Sequence, residues 1–179
     1  MGFFQKTAGI LNKALVIITK KTPEACFPAS CHVMIVCSKP DFKTGGFFPM
    51  ISAVTYRRDL HQIPELGDQL PETTAYVRAR LDALDLLVFS PTQGSVCAFL
   101  DAGKPETVAF RADMDALPVT EATGLPFASV YPGKMHACGH DGHTAMLLSL
   151  AERALERRAE LPRNVLFLFQ PAEETTGGA

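Results

Sequence analysis

The sequence predicts an α/β domain, a layered fold with a mixed, partly parallel sheet and flanking helices. Two helical patterns and one fully apolar strand support this fold class. The helix that begins near Thr144 leads into the run at 165–169, which is apolar at every position. Such a run is typical of a strand that is covered on both faces. A helix followed by a strand of this kind favours layers of helix packed on sheet.

Two helices are expected in the first half of the domain. The first spans 54–62 and stops there because the residue before Pro64 is pushed out of the α region. The second spans 71–86 and starts with Pro71, which the first turn of a helix tolerates. Its apolar side chains recur at helical spacing, at Val77, Leu81 and Leu84.

Two strands are expected next, over 94–100 and 108–112, and the turn-forming residues at 101–105 suggest that they form a hairpin. Another helix begins near Thr144 and ends before Pro162, because proline cannot continue a helix. Its apolar stripe consists of Leu147, Leu150, Ala151, Ala154 and Leu155. The apolar strand then completes the predicted layers.

The composition is that of a globular protein, with 47% hydrophobic and 20% charged residues among 179. A net charge of -2 gives no basic field for phosphates, so nucleic acid is not an expected partner. No apolar run approaches the roughly 18 residues of a membrane-spanning helix, so no membrane association is expected. The expected partner is a small molecule.

Residues 1–53 are expected to be an extension, because neither helical nor strand periodicity persists there, and residues 54–179 to form the domain. The apolar stretch at 14–18 is too short for a signal peptide, and no clean cleavage site follows it. The five cysteines form no CxxC pair, and their odd number leaves at least one thiol unpaired. These features favour a reducing, cytoplasmic compartment.

Polar clusters follow two of the predicted strands. Asp113 and Asp115 come after one strand, Glu173 and Glu174 after the other, and the histidine loop 136–143 lies between them in the chain. Ligands of open α/β sheets bind outside the carboxyl ends of the strands. If the two strands are parallel neighbours, both acidic pairs lie at one edge and the histidine loop can close over them.

The histidine loop combines three histidines, one cysteine and one aspartate within eight residues. Cys138 and His140 are two residues apart, so in an extended loop their side chains can point to the same side. A thiolate and an imidazole suit zinc or a similar divalent ion. The alternative is that Cys138 is a small buried apolar residue and that the histidines cap the next helix. For the whole cluster, a metal site is the better explanation.

The paired carboxylates gain a function beside a metal ion. One member of the pair Glu173 and Glu174 can bind the ion, and the other can take a proton from a water whose pKa the ion lowers to about 7. Asp113 and Asp115 alternate along the chain, and one of them could orient a histidine ligand. Taken alone, the pair Glu173 and Glu174 is better explained as two solvated carboxylates, and Asp113 and Asp115 are weak evidence for a site.

Four segments occur in order and at fitting intervals: RRDLHQ at 57–62, RADMDALP at 111–118, MHACGHDGH at 135–143 and QPAEE at 170–174. Together they resemble the aminoacylase-like metallopeptidase family over 57–179. The most similar branch holds hippurate hydrolases, N-acetyl-diaminopimelate deacetylases and plant auxin-conjugate hydrolases. The resemblance implies hydrolysis of the amide bond of N-acyl amino acids or amino-acid conjugates, with one or two divalent ions, zinc or manganese, as cofactors.

Carried over position by position, the resemblance implies metal ligands at Cys138, His140 and Glu174. Glu173 matches the general base that activates the water, and Asp115 matches an aspartate that supports the metal site. The family's fold implies a catalytic α/β domain with a smaller lid domain inserted later in the chain. Oligomers are possible in the full-length family.

The sequence departs from the family pattern at three places. The start motif usually reads His-x-His-Pro-Glu, but Ile63 stands at its second histidine, and no ligand is affected. Asp113 stands where related branches have a histidine ligand, so it is not expected to bind metal. Family members are much longer, and two further histidine ligands and the lid domain lie beyond the position of Ala179. The chain is therefore expected to be an incomplete catalytic domain that hydrolyses weakly or not at all.

One alternative is a non-catalytic fragment that at most binds metal or a partner chain. A structural zinc module is less expected, because such sites usually have four closely spaced cysteine and histidine ligands.

Overall fold

The computed structural model describes residues 53–176 of the chain. The elements are, in chain order, the helices α1 (Ala53–His61) and α2 (Pro71–Asp82), the strands β1 (Leu87–Phe89), β2 (Val96–Leu100) and β3 (Thr107–Asp113), the helix α3 (His140–Glu156), a 3₁₀ turn (Arg158–Glu160), the strand β4 (Asn164–Gln170) and the short helix α4 (Glu173–Thr176). The predicted extension lies outside the described residues except for Ala53. None of the helices described is both long enough and apolar enough to span a membrane.

The four strands form one mixed sheet in the order β1-β2-β4-β3. β1 pairs with β2 and β2 with β4 in the antiparallel sense, whereas β3 and β4 are parallel. The predicted mixed, partly parallel sheet is therefore confirmed. The parallel register pairs Asp113 with Gln170, so the carboxyl ends of β3 and β4 lie at the same edge of the sheet.

The predicted hairpin of β2 with β3 is wrong, because β4 lies between these two strands. Their connection arches over the start of β4 and is held there by Asn164. The side-chain carbonyl of Asn164 accepts hydrogen bonds from the N–H groups of Ala102 (2.9 Å) and Lys104 (3.0 Å). Its side-chain amide donates to the carbonyl of Lys104 (2.8 Å). The apolar β4 thereby takes a central position, where pairing on both edges suits a strand that is apolar on both faces.

The helices differ from the predicted bounds by a few residues. α2 ends at Asp82, before the predicted end at Leu86, and Asp85 then adopts a left-handed conformation with a φ of 54°. This turn separates α2 from β1, a strand of three residues that the sequence pattern did not reveal. A short apolar run fits the end of a helix as well as a strand. α3 begins at His140, earlier than the predicted Thr144.

The main hydrophobic core lies between the helices and one face of the sheet. Alternate residues of the two central strands are buried in it, among them Val96, Ala98, Phe167 and Phe169. Their neighbours in sequence belong to a second apolar cluster on the other face, with Cys97, Phe99 and Leu166 as its buried members. β4 thus carries apolar side chains on both faces, as its continuous run predicts.

Glu65 ties the start of α2 to the segment that follows β3. Its buried carboxylate accepts hydrogen bonds from the N–H groups of Glu72 (3.2 Å) and Thr73 (2.8 Å) in the first turn of α2. These donors have no intrahelical partner, and Leu70, at the N-cap position, makes no side-chain cap. The backbone carbonyl of Glu65 accepts from the N–H of Ala116 (2.8 Å), just beyond β3. The glutamate of the start motif therefore helps to fix the end of β3.

Replacing Glu65 should destabilise the fold through this cap. We expect Glu65→Ala to lower the free energy of unfolding by about 1–2 kcal/mol, because two N–H groups of α2 lose their acceptor. Glu65→Gln keeps one acceptor oxygen and should cost less. Urea denaturation followed by circular dichroism measures both. Asp68→Ala removes an exposed carboxylate from the same loop and should change stability by less than about 0.5 kcal/mol. Equal losses for Glu65→Ala and Asp68→Ala would contradict the capping role.

Candidate metal centre

The carboxyl ends of β3 and β4 and the start of α3 meet at one edge of the sheet. His140 is the first residue of α3, and Glu173 and Glu174 begin α4, just after β4. One donor atom from each of these three residues lies within 4.8 Å of the donor atoms of the other two. The histidine loop and the second acidic pair, which are far apart in sequence, are thus brought together at this edge.

Asp115 connects the three residues of this cluster through hydrogen bonds. Its fully buried carboxylate accepts hydrogen bonds from the backbone N–H groups of Glu173 (3.1 Å) and Glu174 (3.0 Å). Its backbone carbonyl oxygen lies 2.8 Å from Nδ1 of His140. A carbonyl oxygen can only accept, so Nδ1 carries the proton in this hydrogen bond. The second ring nitrogen, Nε2, faces the carboxylates of Glu174 (3.7 Å) and Glu173 (3.9 Å).

The same contacts shift the protonation of both partners. Burial alone would raise the pKa of Asp115, but hydrogen bonds from His140 and from the N–H groups of Glu174 and Glu173 outweigh it and hold this pKa below its ordinary value. Burial alone would lower the pKa of His140, but its hydrogen bonds to the side chain and backbone of Asp115 raise it. Asp115 is therefore a fixed negative charge behind the imidazole, which is the usual arrangement behind metal-binding histidines.

Cys138 lies beside the cluster and is exposed, so the alternative of a small buried apolar residue is wrong. A hydrogen bond to Glu174, followed by burial and the nearby carboxylates, raises the pKa of the thiol to about 11. Cys138 is not part of the group whose donor atoms lie within 4.8 Å of one another. The structure thus places the thiol next to Glu174 but brings only His140, Glu173 and Glu174 into mutual reach.

Two left-handed residues set the direction of the chain at the cluster. Gly139 has a φ of 85° directly before His140, a conformation that glycine adopts without steric cost. Ala172 has a φ of 62° directly before Glu173, where a side chain costs about 1–2 kcal/mol. The N–H of Ala172 donates to the carbonyl of Gly67 (3.0 Å), which helps to hold this turn. Strained backbone of this kind often accompanies functional sites.

Asp113 has a different set of contacts. Its carboxylate forms an ion pair with Arg111, at 2.7 Å from Nη2 and 2.9 Å from Nε. Its backbone carbonyl accepts a hydrogen bond from the hydroxyl of Thr144 (3.1 Å). Asp113 therefore fixes the end of β3 against α3 and does not belong to the donor group.

A second buried polar cluster, which sequence reasoning missed, lies behind the histidine loop. His61 contacts Asp141 and Glu121 with its two ring nitrogens. His136 is buried nearby, its ring centroid 6.3 Å from that of His61, and burial lowers its pKa to about 4. Neither His136 nor His143 belongs to the donor group. The polar motif at 57–62 was the signal for this cluster in the sequence. Its contact partners could not be identified, because they lie far from it along the chain.

The donors at the edge fit a divalent cation. Among the described residues, the ion pairs of Glu173 and Glu174 are those with His140, so their charge is not balanced by a lysine or arginine. An imidazole, two carboxylates and an adjacent thiol are the donor types that zinc and similar ions accept. Although Glu174 raises the pKa of the Cys138 thiol, such an ion would displace the thiol proton, because a bound cation stabilises the thiolate.

Residues 109–179 match the family model described as peptidase family M20/M25/M40. This stretch is similar to that family. The M20 match begins within β3 and includes every residue of the donor cluster as well as Asp115 and Cys138. The resemblance inferred from the four sequence segments is confirmed at the level of this family.

This chain is similar over part of its length to proteins of known sequence or structure. Over 126 residues it is 48% identical to an uncharacterized hydrolase of Staphylococcus aureus (strain bovine RF122 / ET3-1), a match that covers 69% of this chain and 33% of the hydrolase. The YXEP protein of Bacillus subtilis, described as a dinuclear metal binding peptidase of the M20 family, is 45% identical with a TM-score of 0.66, over 68% of this chain and 35% of that one. An aminobenzoyl-glutamate utilization protein from Klebsiella pneumoniae is 25% identical with a TM-score of 0.52, over 67% of this chain and 36% of that one. The chain spans about a third of the length of the curated relatives it matches.

Zinc should protect one cysteine from alkylation. In protein freed of metal by a chelator, iodoacetamide should label the exposed Cys138 slowly and faster as the pH rises towards 11, because only the thiolate reacts. Cys97 is buried, which raises its pKa to about 11, and it should stay unlabelled while the protein is folded. Adding zinc should suppress labelling of Cys138, as measured by mass spectrometry of individual peptides. An unchanged labelling rate in zinc would argue against a thiolate ligand.

Asp115→Asn should weaken metal binding. The amide is nearly the same size as the carboxylate but lacks the charge and cannot accept both N–H groups of Glu173 and Glu174. We expect the affinity for zinc to fall by about 10–100-fold, the usual effect of losing such a supporting group. Isothermal titration calorimetry measures it. The matched control is Asp113→Asn, the same substitution at the same strand end, which should leave the affinity within about threefold. Equal effects of the two substitutions would rule out the organising role of Asp115.

Proposed function

We propose that the protein hydrolyses the amide bond of N-acyl amino acids or amino-acid conjugates, using a divalent ion held by Cys138, His140 and Glu174. The observation that carries the proposal is the arrangement around Asp115. It turns Nε2 of His140 towards two adjacent carboxylates, at the carboxyl edge of a parallel pair of strands. The similarity of residues 109–179 to the M20 peptidase family supports a hydrolytic reaction at this edge.

Zinc and manganese both suit this set of donors. A thiolate and an imidazole favour zinc, whereas the carboxylates are acceptable to either ion. When bound, the ion lowers the pKa of a water molecule and polarises the carbonyl oxygen of the amide. The donors Cys138, His140 and Glu174 would hold it and leave a position open, which is the pattern of catalytic zinc sites with three protein ligands.

Glu173 is the proposed general base. Its side chain is 41% exposed, against 20% for Glu174, so it is the carboxylate that can meet water and substrate. Its carboxylate takes a proton from the attacking water as the new C–O bond forms at the amide carbon. The same proton then passes to the amide nitrogen as the C–N bond breaks, so that a carboxylic acid and an amine are released. The carboxylate of Asp115 accepts a hydrogen bond from the backbone N–H of Glu173 and thereby fixes the backbone position from which this side chain extends.

We infer that hydrolysis by this chain is slow. The proposed ligands Cys138, His140 and Glu174 serve one ion, whereas a dinuclear centre such as that in the name of the Bacillus subtilis relative needs more. Hydrolysis also gains from a closed, water-excluded site. Two surface cavities of about 270 and 170 Å³ lie beside α2 and the turn before β2, and the residues that line them do not include the donor cluster.

That position of the cavities favours a second candidate function, metal binding without catalysis. A centre whose donors lie outside these two cavities can hold an ion while contributing little to the orientation of a substrate. In that case the chain binds zinc or manganese, with or without a partner chain, and releases no amine from N-acyl amino acids.

The two candidates differ in amine release. Purified chain loaded with zinc or manganese is incubated with N-acetyl and N-benzoyl amino acids, and the free amino acid is quantified by mass spectrometry. We expect slow, metal-dependent release that falls by about 10²–10⁴-fold in Glu173→Gln, because the general base is lost. The matched control is Glu160→Gln, an exposed glutamate paired with Arg157, which should keep the wild-type rate.

Tight metal binding with no release above the Glu173→Gln background would reject the hydrolase and favour the second candidate. The absence of any metal site that depends on Cys138 and His140 would reject both.

A further inference from the structure

His61, the last residue of α1, lies between two buried carboxylates. Its Nδ1 is 2.7 Å from Oδ2 of Asp141, and its Nε2 is 3.3 Å from Oε1 of Glu121. The side chains of His61, Asp141 and Glu121 are 3%, 0% and 5% exposed. At this burial a hydrogen bond between an imidazole and a carboxylate is strong, and the loss of one partner leaves the other poorly satisfied.

The carboxylate of Asp141 is held from the side of α1. Besides His61, its Oδ2 is in contact with Nε of Arg57 at 3.2 Å, but the Arg57 side chain is half exposed. Its other oxygen, Oδ1, is buried without a hydrogen-bond partner among the described residues. His61 is therefore the buried, short contact that fixes the orientation of this side chain.

Asp141 follows His140 in the first turn of α3. The backbone of this turn closes with hydrogen bonds from the N–H groups of Gly142 (2.9 Å) and His143 (3.2 Å) to the carbonyl of Gly139. Since a helix end frays unless it is held, the side chain of Asp141 anchors the turn on which His140 stands. A shift of this turn would move Nε2 of His140 relative to Glu173 and Glu174.

The contact of His61 with Glu121 belongs to a different segment. Glu121 lies in the excursion between Leu117 and Met135, and its Oε2 accepts a hydrogen bond from the N–H of Ser129 (2.6 Å). Nδ1 of His61 thus contacts the first turn of α3, which carries His140, and Nε2 contacts the segment between Leu117 and Met135. The two contacts can be separated by substitution.

We propose that His61 is a positioning residue for the metal centre, which acts by holding Asp141 and thereby the turn that presents His140. This inference rests on the proposed function, in which His140 binds the ion. It predicts that the Nδ1 contact controls metal affinity, while the Nε2 contact does not.

Two conservative variants of His61 separate the contacts. The side-chain amide of asparagine places an N–H near the position of Nδ1, and that of glutamine places one near the position of Nε2. We expect His61→Asn to bind zinc within about threefold of the wild type, and His61→Gln to bind it about 10–100-fold more weakly, as is usual when support behind a ligand is lost. Isothermal titration calorimetry of the full chain measures both. The control Glu121→Gln alters only the Nε2 side and should keep the wild-type affinity.

Hydrogen exchange in the metal-free chain gives a readout that needs no ion. In His61→Gln, the amides of Gly142 and His143 should exchange about tenfold faster or more, while those of Leu148 and Ala151 in the middle of α3 keep their protection. In His61→Asn both sets should keep the wild-type rates. A merely structural role for His61 would instead loosen α1 and α3 together in both variants.

The outcomes distinguish this inference from the proposed function. If the wild type binds no metal through Cys138 and His140, the proposed function fails, and hydrogen exchange still decides the role of His61. Equal metal affinities of His61→Gln and the wild type, or a loss in Glu121→Gln as large as that in His61→Gln, would overturn the inference. If His61→Gln does not fold, a tenfold loss of affinity in His61→Asn would overturn it, and an unchanged affinity would support it.

Discussion

The rest of the candidate centre depends on the hydrogen bonds of Asp115. The carboxylate of Asp115 lies at the end of β3 and accepts two backbone N–H groups from the residues that follow β4, while the carbonyl of the same residue binds the first residue of α3. One buried residue therefore joins three segments that are separate in sequence. Because β3 and β4 are parallel neighbours, their ends lie close enough for a single side chain to bridge them.

The electrostatics of the edge follow from these hydrogen bonds. The hydrogen bonds that Asp115 accepts hold its pKa low, and its negative charge in turn raises the pKa of His140. On the other side of the imidazole stand Glu173 and Glu174, and next to them a thiol whose pKa Glu174 raises. Acidic groups packed this closely repel one another, and a divalent cation is the partner that would offset the repulsion and favour the thiolate.

Much of the fold could be predicted because it depends on local patterns. The apolar run of β4 and the helical spacing of α2 and α3 indicate their elements without knowledge of the rest of the chain. The order of strands could not be predicted, because β4 pairs with both β2 and β3 through contacts that are distant in sequence, and the loop that Asn164 holds lies about sixty residues away. The pair of His61 with Asp141 was missed for the same reason, since eighty positions separate two residues whose contact is buried. The ligand motif at 138–140 was visible because its members are neighbours in sequence. That Cys138 lies outside the donor group could not be predicted, because it depends on the left-handed turn at Gly139.

The central claim is that one cation is bound by a thiolate, an imidazole and a carboxylate at this edge. X-ray absorption spectroscopy of the zinc-loaded chain tests it most directly, because sulfur scatters differently from nitrogen and oxygen. The account predicts one sulfur at about 2.3 Å and nitrogen or oxygen ligands at about 2.0–2.2 Å, with the sulfur shell lost in Cys138→Ser. A zinc shell without sulfur in the wild type, or a sulfur shell that survives in Cys138→Ser, would contradict it.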